Sequence, residues 1–230
     1  MIKQALMKSK SLPRQAGRLG GLALLGISGQ AFFVLVVALL PFFQPDYSSV
    51  DHAISRLLIG PYGFVLSAAL FASGLGSLAL AVGIRKTTRG IRGSRLGSVL
   101  IGLWAICFAL AGIVFTDAEG DPTEIALALH AAVLPGFVFA FAGILLLSGV
   151  FARDARWFSF YPVSLALGFA ALVGFADAIA ILVEGENFIE GLGPGIIQRV
   201  IVGTVVLWMM LAGIRLRYIA KSSRFTTLSG

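Results

Sequence analysis

Six long apolar stretches constrain the fold of this chain more than any other feature. They cover residues 19–43, 62–84, 96–116, 125–151, 158–183 and 196–214. A helix of about 20 apolar residues, rising about 1.5 Å per residue, crosses the hydrocarbon core of a bilayer. The sequence therefore predicts an all-α integral membrane bundle of six transmembrane helices.

The composition excludes an ordinary soluble protein. Of the 230 residues, 58% are hydrophobic and 13% are charged, against about 25% charged residues in a soluble domain. The mean hydropathy is +0.94, so lipid must be the solvent for most of the surface and the bilayer is the first expected partner. The single cysteine, Cys107, lies in an apolar stretch and is interpreted as a small core residue, which excludes an intrachain disulfide or a thiolate metal cluster.

Basic residues separate from acidic ones by alternate loops. Of the 18 Lys and Arg residues, 16 fall before the first stretch, after the second, after the fourth and after the sixth. By the positive-inside rule, both termini are predicted to be cytoplasmic and the protein to lie in the plasma (inner) membrane. This topology explains the net charge of +7, so no nucleic-acid partner is expected. The organisation predicted is a basic cytoplasmic arm (1–18), a six-helix membrane domain (19–218) and a cytoplasmic tail (219–230).

The first outer loop is predicted to contain a short amphipathic helix lying in the membrane interface. Ser48-x-x-Asp51 is typical of a capping box at its start, and Gly60-Pro61 would end it. His52, Ser55 and Arg56 fall on a different side of this helix from the apolar residues. Those apolar residues follow helical spacing: Val50, Ile54, Leu57 and Leu58.

Small residues in the second stretch, namely Ser73, Gly74, Gly76 and Ser77, predict close helix packing in lipid. Pro135-Gly136 in the fourth stretch has two interpretations. It loosens the helix beside His130 and opens a cavity, or it is a packing kink.

Titratable and polar groups from several helices fall in one outer layer of the bundle. An ionisable residue within a span usually faces the bundle interior with a partner, and Asp177 is such a residue. Arg199 is the first choice of partner and His130 the second; an Asp177–Arg199 ion pair would make the cluster purely structural. Otherwise we expect an outward-facing polar cavity that binds a small ligand, a lipid headgroup or a metal. The candidate ligand-binding residues are His52, Ser55, Asp117, His130, Asp177, Gln198 and Arg199.

Imidazole and carboxylate groups are ligands that divalent metals accept, so His52, Asp117, His130 and Asp177 are candidate metal ligands. No fixed-spacing signature such as H-E-x-x-H supports that hypothesis. No haem is expected, because His52 lies outside the spans. Ser55 and His52, three residues apart, are either a nucleophile–base pair or a solvated hydroxyl and its neighbour.

Three other functions stay open. One is an interfacial hydrolase that modifies a lipid with a metal-bound or histidine-activated water. Another is a transporter with Asp177 as its titrating group, although the inner half of the bundle offers no intramembrane charge to continue a path. The last is an accessory subunit without chemistry, and the oligomeric state is left open.

Several motifs stand in loops and at helix ends: Tyr47 to Gly63, Gly112 to Asp117, Pro122-Thr123, Leu129-His130 and Gly195 to Arg199. Together they resemble a prokaryotic six-helix membrane family catalogued as domain of unknown function 998. The resemblance covers roughly residues 20 to 215 and implies the fold and a membrane location, but no activity. Family positions are matched by His52, Ser55, Asp117, His130 and Arg199, whereas Ala131 stands where many members have Asp or Asn.

Overall fold

The fold is a bundle of six α-helices, seen in a computed structural model that describes residues 2–114, 122–184 and 193–225. Side-chain surroundings are described for residues 16–113, 133–176, 193 and 195–222. The helices are α1 (Ile2–Leu39), α2 (Gly63–Thr87), α3 (Ser94–Val114), α4 (Pro122–Phe151), α5 (Tyr161–Glu184) and α6 (Pro194–Phe225).

Each helix contains a segment long and apolar enough to cross a membrane. The segments are 19 to 28 residues long, which matches the thickness of a bilayer core. The predicted all-α, six-span fold is thus confirmed, and the chain is a multi-pass membrane protein. Two helices extend beyond the predicted spans: α1 already begins at Ile2, within the basic arm, and α6 continues to Phe225.

The helices form a closed ring. Each helix packs against its neighbours along the chain, and α6 packs against α1. Aromatic side chains fill the interior, where Trp104 and Trp208 are at most 1% exposed. Two ends of the ring are named here by the charge of their loops. The acidic end carries the α1–α2 loop (residues 40–62) and the start of α6, and the basic end carries the α2–α3 loop (88–93) and the α4–α5 loop (152–160).

The helix pair α1–α2 is packed backbone to backbone, as the small residues of the second stretch predict. A Cβ atom at Gly29 would lie 2.4 Å from the carbonyl oxygen of Ala72, so only glycine permits this approach. Gln30 is 1% exposed; its Nε2 donates to the Ser73 carbonyl and to the Ser77 hydroxyl, both at 3.0 Å. The Ser73 hydroxyl returns a bond to Gln30 Oε1 at 2.7 Å. This polar contact fixes the register of the two helices.

Hydrogen bonds join the two loops of the basic end. Asp154 is 7% exposed and forms an ion pair of 2.8 Å with Arg156. Arg156 also donates to the Thr87 carbonyl, and Trp157 Nε1 donates to Thr87 Oγ1 at 3.1 Å. Burial by itself raises the pKa of Asp154, but the hydrogen bonds and the charge of Arg156 bring that pKa below its ordinary value. Arg215 of α6 donates to the Arg156 carbonyl and extends the connection to a third element.

Candidate functional site at the acidic end of the bundle

The α1–α2 loop contains a shorter helix than the sequence analysis predicts. Within the segment predicted to be helical, only Ile54–Leu58 is helical, as a 3-10 helix that we call the loop helix. Leu40–Phe43, directly after α1, is a separate 3-10 helix. The preceding residues form a turn, because Ala53 has an extended backbone (φ −58°, ψ 152°) that separates the turn from the helix. Ile54 and Leu58 are buried as expected, whereas Val50 belongs to the turn and is 49% exposed.

The predicted capping box is half formed. Ser48 Oγ accepts a bond from the Asp51 amide at 3.3 Å and donates to Asp51 Oδ2 at 2.5 Å. The Ser48 amide, however, donates to His52 Nδ1 at 3.0 Å, and the His52 amide donates to the Ser48 carbonyl at 2.9 Å. A nitrogen that accepts an N–H carries no proton, so in this arrangement His52 is neutral with its proton on Nε2.

Arg199 binds the turn of the α1–α2 loop through neutral oxygen atoms. Its Nη1 donates to the loop carbonyls of Ser49 at 2.8 Å and His52 at 3.1 Å. The same nitrogen donates to the Gly195 carbonyl of its own helix at 2.9 Å. Its Nη2 donates to the Tyr47 hydroxyl at 2.5 Å, and its guanidinium carbon lies 5.6 Å from the Tyr47 ring centroid. The Tyr47 hydroxyl lies 3.1 Å from the His52 carbonyl. Arg199 therefore holds the loop against α6.

The first turn of α6 docks directly on the same loop. The Gly195 amide donates to the Val50 carbonyl at 3.0 Å, and the Ile54 amide donates to Gln198 Oε1 at 2.5 Å. A Cβ atom at Gly195 would lie 2.5 to 2.7 Å from three loop carbonyl oxygens, so this contact needs glycine. At the other end of the loop helix, Gln44 Nε2 donates to the Leu57 carbonyl at 3.0 Å. The loop helix is thus fixed on one side by α6 and on the other by the segment that follows α1.

A small cavity lies beneath the loop helix. Its volume is about 40 Å³, enough for a few water molecules. Residues of α1, α2, α3, α4, α6 and the loop helix line it, and three of them are Phe33, Phe108 and Phe137. Ser55 and Gln198 are the polar side chains of the described lining. This lining is more apolar than the polar cavity expected from the sequence, because Arg199 and His52 bind the loop backbone instead.

The structure brings together four of the predicted site residues. Arg199 donates to the His52 carbonyl at the loop turn, and Ser55 and Gln198 both line the cavity. The hydrogen bond from the Ile54 amide to Gln198 Oε1 connects these two pairs. Asp117 lies outside the described residues. His130 and Asp177 lie in α4 and α5, but their side chains are outside the described part, so the Asp177–Arg199 ion pair stays a prediction.

The metal hypothesis also stays a prediction. Among the described residues, no three His, Cys, Asp or Glu side chains come close enough together to hold a metal ion. The predicted Ser55–His52 pair is not joined in the described part of the chain, since His52 Nδ1 faces the Ser48 amide.

Pro135-Gly136 lies within continuous helix, and a Cβ atom at Gly136 would lie 3.0 Å from Cys107 Cβ. This contact supports the packing interpretation.

Two residues of this contact were quoted in the sequence motifs but not predicted as site residues. Tyr47 provides the hydroxyl that joins Arg199 to the loop, and Gly195 provides the bare backbone on which the turn rests. The run Gly193-Pro194-Gly195 at the start of an apolar stretch was a usable signal, since paired glycines indicate close backbone approach.

Comparison with known proteins identifies the family of this chain. A family model described as "Protein of unknown function (DUF998)" matches residues 27–215, well over half of the chain, so the resemblance drawn from the loop motifs is confirmed. No curated protein and no solved structure matches the chain.

Proposed function

Because this chain belongs to the DUF998 family, whose description names no activity, its function has to be inferred from its site, and we propose that it binds a small ligand or part of a lipid in the cavity beneath the α1–α2 loop. The ligand chemistry that fits is an apolar body with one uncharged hydrogen-bonding group, such as an ester or an alcohol. In this proposal the acidic end faces outward, the termini are cytoplasmic and the membrane is the plasma membrane.

The observation that carries the proposal is spare hydrogen-bonding capacity in an otherwise apolar wall. Ser55 is 8% exposed, and within the described residues its hydroxyl has no hydrogen-bond partner. Gln198 uses its Oε1 on the Ile54 amide, and within the same residues its Nε2 has no partner. Ser55 is buried and Gln198 is partly buried, and a polar group shielded from water without a partner costs free energy. A ligand that bonded to both groups would therefore be stabilised.

The cavity and its cover are separate parts in this proposal. Arg199 and Gln198 hold the loop from one side and Gln44 holds it from the other, so the loop is a fixed cover. His130 and Asp177, whose sequence positions place them in the same layer, are proposed to add polar groups to the ligand's far end. An uncharged ligand fits the charge-free described lining better than a charged headgroup does.

The hydrolase alternative gains no support from His52. Its Nδ1 accepts the Ser48 amide, and its Nε2 then carries the ring proton, so neither nitrogen is free to accept a proton or a metal in this arrangement. That chemistry would depend on His130.

Binding of methyl acetate, an uncharged ester about the size of a few water molecules, tests the proposal, with acetate as the charged analogue. Trp104 reports occupancy by its fluorescence, because its ring lies 4.5 and 4.9 Å from the rings of Phe108 and Phe137, which line the cavity. We expect saturable binding of the ester and weaker binding of acetate. Ser55→Ala should weaken ester binding about two- to tenfold, the value of one neutral hydrogen bond.

Ser48→Ala is the matched control, because it removes a hydroxyl from the same loop outside the cavity. It should leave the affinity unchanged. His130→Ala and Asp177→Asn should lower the affinity in protein that still elutes as a single folded species. The proposal is wrong if the ester does not bind, or if Ser48→Ala and Ser55→Ala weaken it equally.

A further inference from the structure

The α2–α3 loop at the basic end consists of two successive β-turns with the same design. Each turn is closed by a backbone hydrogen bond across four residues, at 3.3 and 3.2 Å. The third residue of each is a glycine with positive φ: Gly90 at 89° and Gly93 at 91°. This conformation, at that position, favours glycine. Arg89 and Arg92 consequently occupy the same position in consecutive turns.

Side-chain hydrogen bonds hold this loop in place. The Thr88 hydroxyl donates to the Ile84 carbonyl at 2.8 Å and lies 2.6 Å from the Ser94 hydroxyl. Thr87, just before the loop, receives bonds from Arg156 and Trp157 of the α4–α5 loop. The turns therefore present their arginines from a fixed backbone.

In the described part of the chain, no carboxylate supplies a counter-charge to the arginines of this loop. Arg89, Arg92 and Arg95 are exposed, and none of them contacts a carboxylate within the described part of the chain. Asp154 is the acidic residue of the basic end, and Arg156 of its own loop binds it. Three guanidinium groups, one every three residues, thus lie free at the end of the membrane spans.

We propose that this arginine-turn loop, with the start of α3, binds the headgroup of anionic phospholipids. A guanidinium binds the oxygens of a phosphodiester through paired, charge-assisted hydrogen bonds. Because α2 ends at Thr87 and α3 begins at Ser94, the loop lies at the membrane surface, where such headgroups are concentrated.

Apolar residues next to the arginines favour a lipid over a free anion. Leu96, next to Arg95, and Val99, three residues further along α3, are 55% and 50% exposed. They offer a surface for acyl chains on the lipid-facing side of the same helix. A phospholipid would use both the exposed arginines, through its headgroup, and the exposed apolar residues of α3, through its acyl chains. Inorganic phosphate would use only the arginines.

Native mass spectrometry of the detergent-solubilised full chain, titrated with phosphatidylglycerol and phosphatidylcholine of identical acyl chains, tests the proposal. The wild type should prefer phosphatidylglycerol. One basic residue near an anionic surface is worth about fivefold in affinity, so Arg89→Gln/Arg92→Gln should reduce that preference by about 25-fold. Arg89→Lys/Arg92→Lys keeps the charge but loses the paired hydrogen bonds of the guanidinium. It should reduce the preference by a factor between those of the wild type and the glutamine variant.

Arg217→Gln/Lys221→Gln removes two exposed charges from the same end of the bundle, on α6, and is the matched control. It should reduce the preference by less than about threefold, since these residues lie outside the turns. An equal loss in the two glutamine variants would reduce the effect to general surface charge and overturn the proposal. So would full retention of the preference in the lysine variant, no preference for phosphatidylglycerol in the wild type, or equal displacement of the lipid by inorganic phosphate.

Discussion

Replacing Arg199 by glutamine should release the α1–α2 loop from α6. Across the contact with the loop, the side chain donates two hydrogen bonds to carbonyl oxygens, those of Ser49 and His52, and one to the Tyr47 hydroxyl, at 2.5 to 3.1 Å. Bonds from charged groups are worth about 1.5–3 kcal/mol each when well buried. Arg199 is only half-buried and its acceptors can turn to water, so about 1 kcal/mol per bond is appropriate. The free energy of loop opening should therefore fall by about 3 kcal/mol.

Hydrogen exchange of the purified protein measures this directly. The Ile54 and Gly195 amides bond across the loop–α6 contact. A loss of about 3 kcal/mol corresponds to about hundredfold faster exchange there, since 1.4 kcal/mol is a factor of ten. Exchange in the middle of α2 should stay unchanged. Arg56→Gln is the control, because Arg56 is an exposed arginine of the same loop. Unchanged exchange at Ile54 and Gly195 in Arg199→Gln would refute the reasoning.

Two further predictions follow from the same structure. Gly195→Ala should lower the free energy of unfolding by about 2–3 kcal/mol, because the new Cβ would lie 2.5 to 2.7 Å from backbone oxygens. Gly203→Ala is the control, since no atom lies within 4 Å of its Cβ position, and it should leave the free energy of unfolding unchanged. Equal effects of the two variants in equilibrium unfolding would contradict this prediction. The lowered pKa of Asp154 means that its stabilising effect is present above the ordinary aspartate pKa of about 3.9 and is lost as the pH falls through the lower folded value. Unfolding measured from pH 7 to 2 should show this acid step in the wild type and in Asp46→Asn, but a smaller step in Asp154→Asn.

The fold was predictable because its signal is long and redundant. Each span is specified by about 20 apolar residues, so errors of several residues at the ends of α1 and α6 leave the architecture unchanged. The α1–α2 packing was also foreseen, since the small residues around Ser73 and Gly76 have no other evident use in an apolar helix. These inferences depend on composition within one segment.

The site was less predictable because it depends on contacts between distant segments. From charge and depth, Arg199 was expected to pair with a carboxylate. Its acceptors among the described residues are three backbone carbonyls and the Tyr47 hydroxyl. Every sequence contains backbone carbonyls, and no motif marks them. The predicted interfacial helix begins only after Ala53. The extended backbone of Ala53 is fixed by neighbouring contacts rather than by the residue's own conformational preference. Helical spacing of apolar residues predicts which residues are buried more reliably than it predicts where a helix begins.

The docking of α6 on the first loop has a consequence for biogenesis. Ser49 and its partner Arg199 are 150 residues apart, and at about 5–20 residues per second synthesis of the intervening chain takes roughly 8–30 s. During that interval the loop lacks Arg199, Gln198 and Gly195 together. The cover over the cavity is completed only when the last helix has inserted against the first. A nascent chain stalled before α6 would expose an unfinished loop, which distinguishes it from the complete protein for membrane quality control.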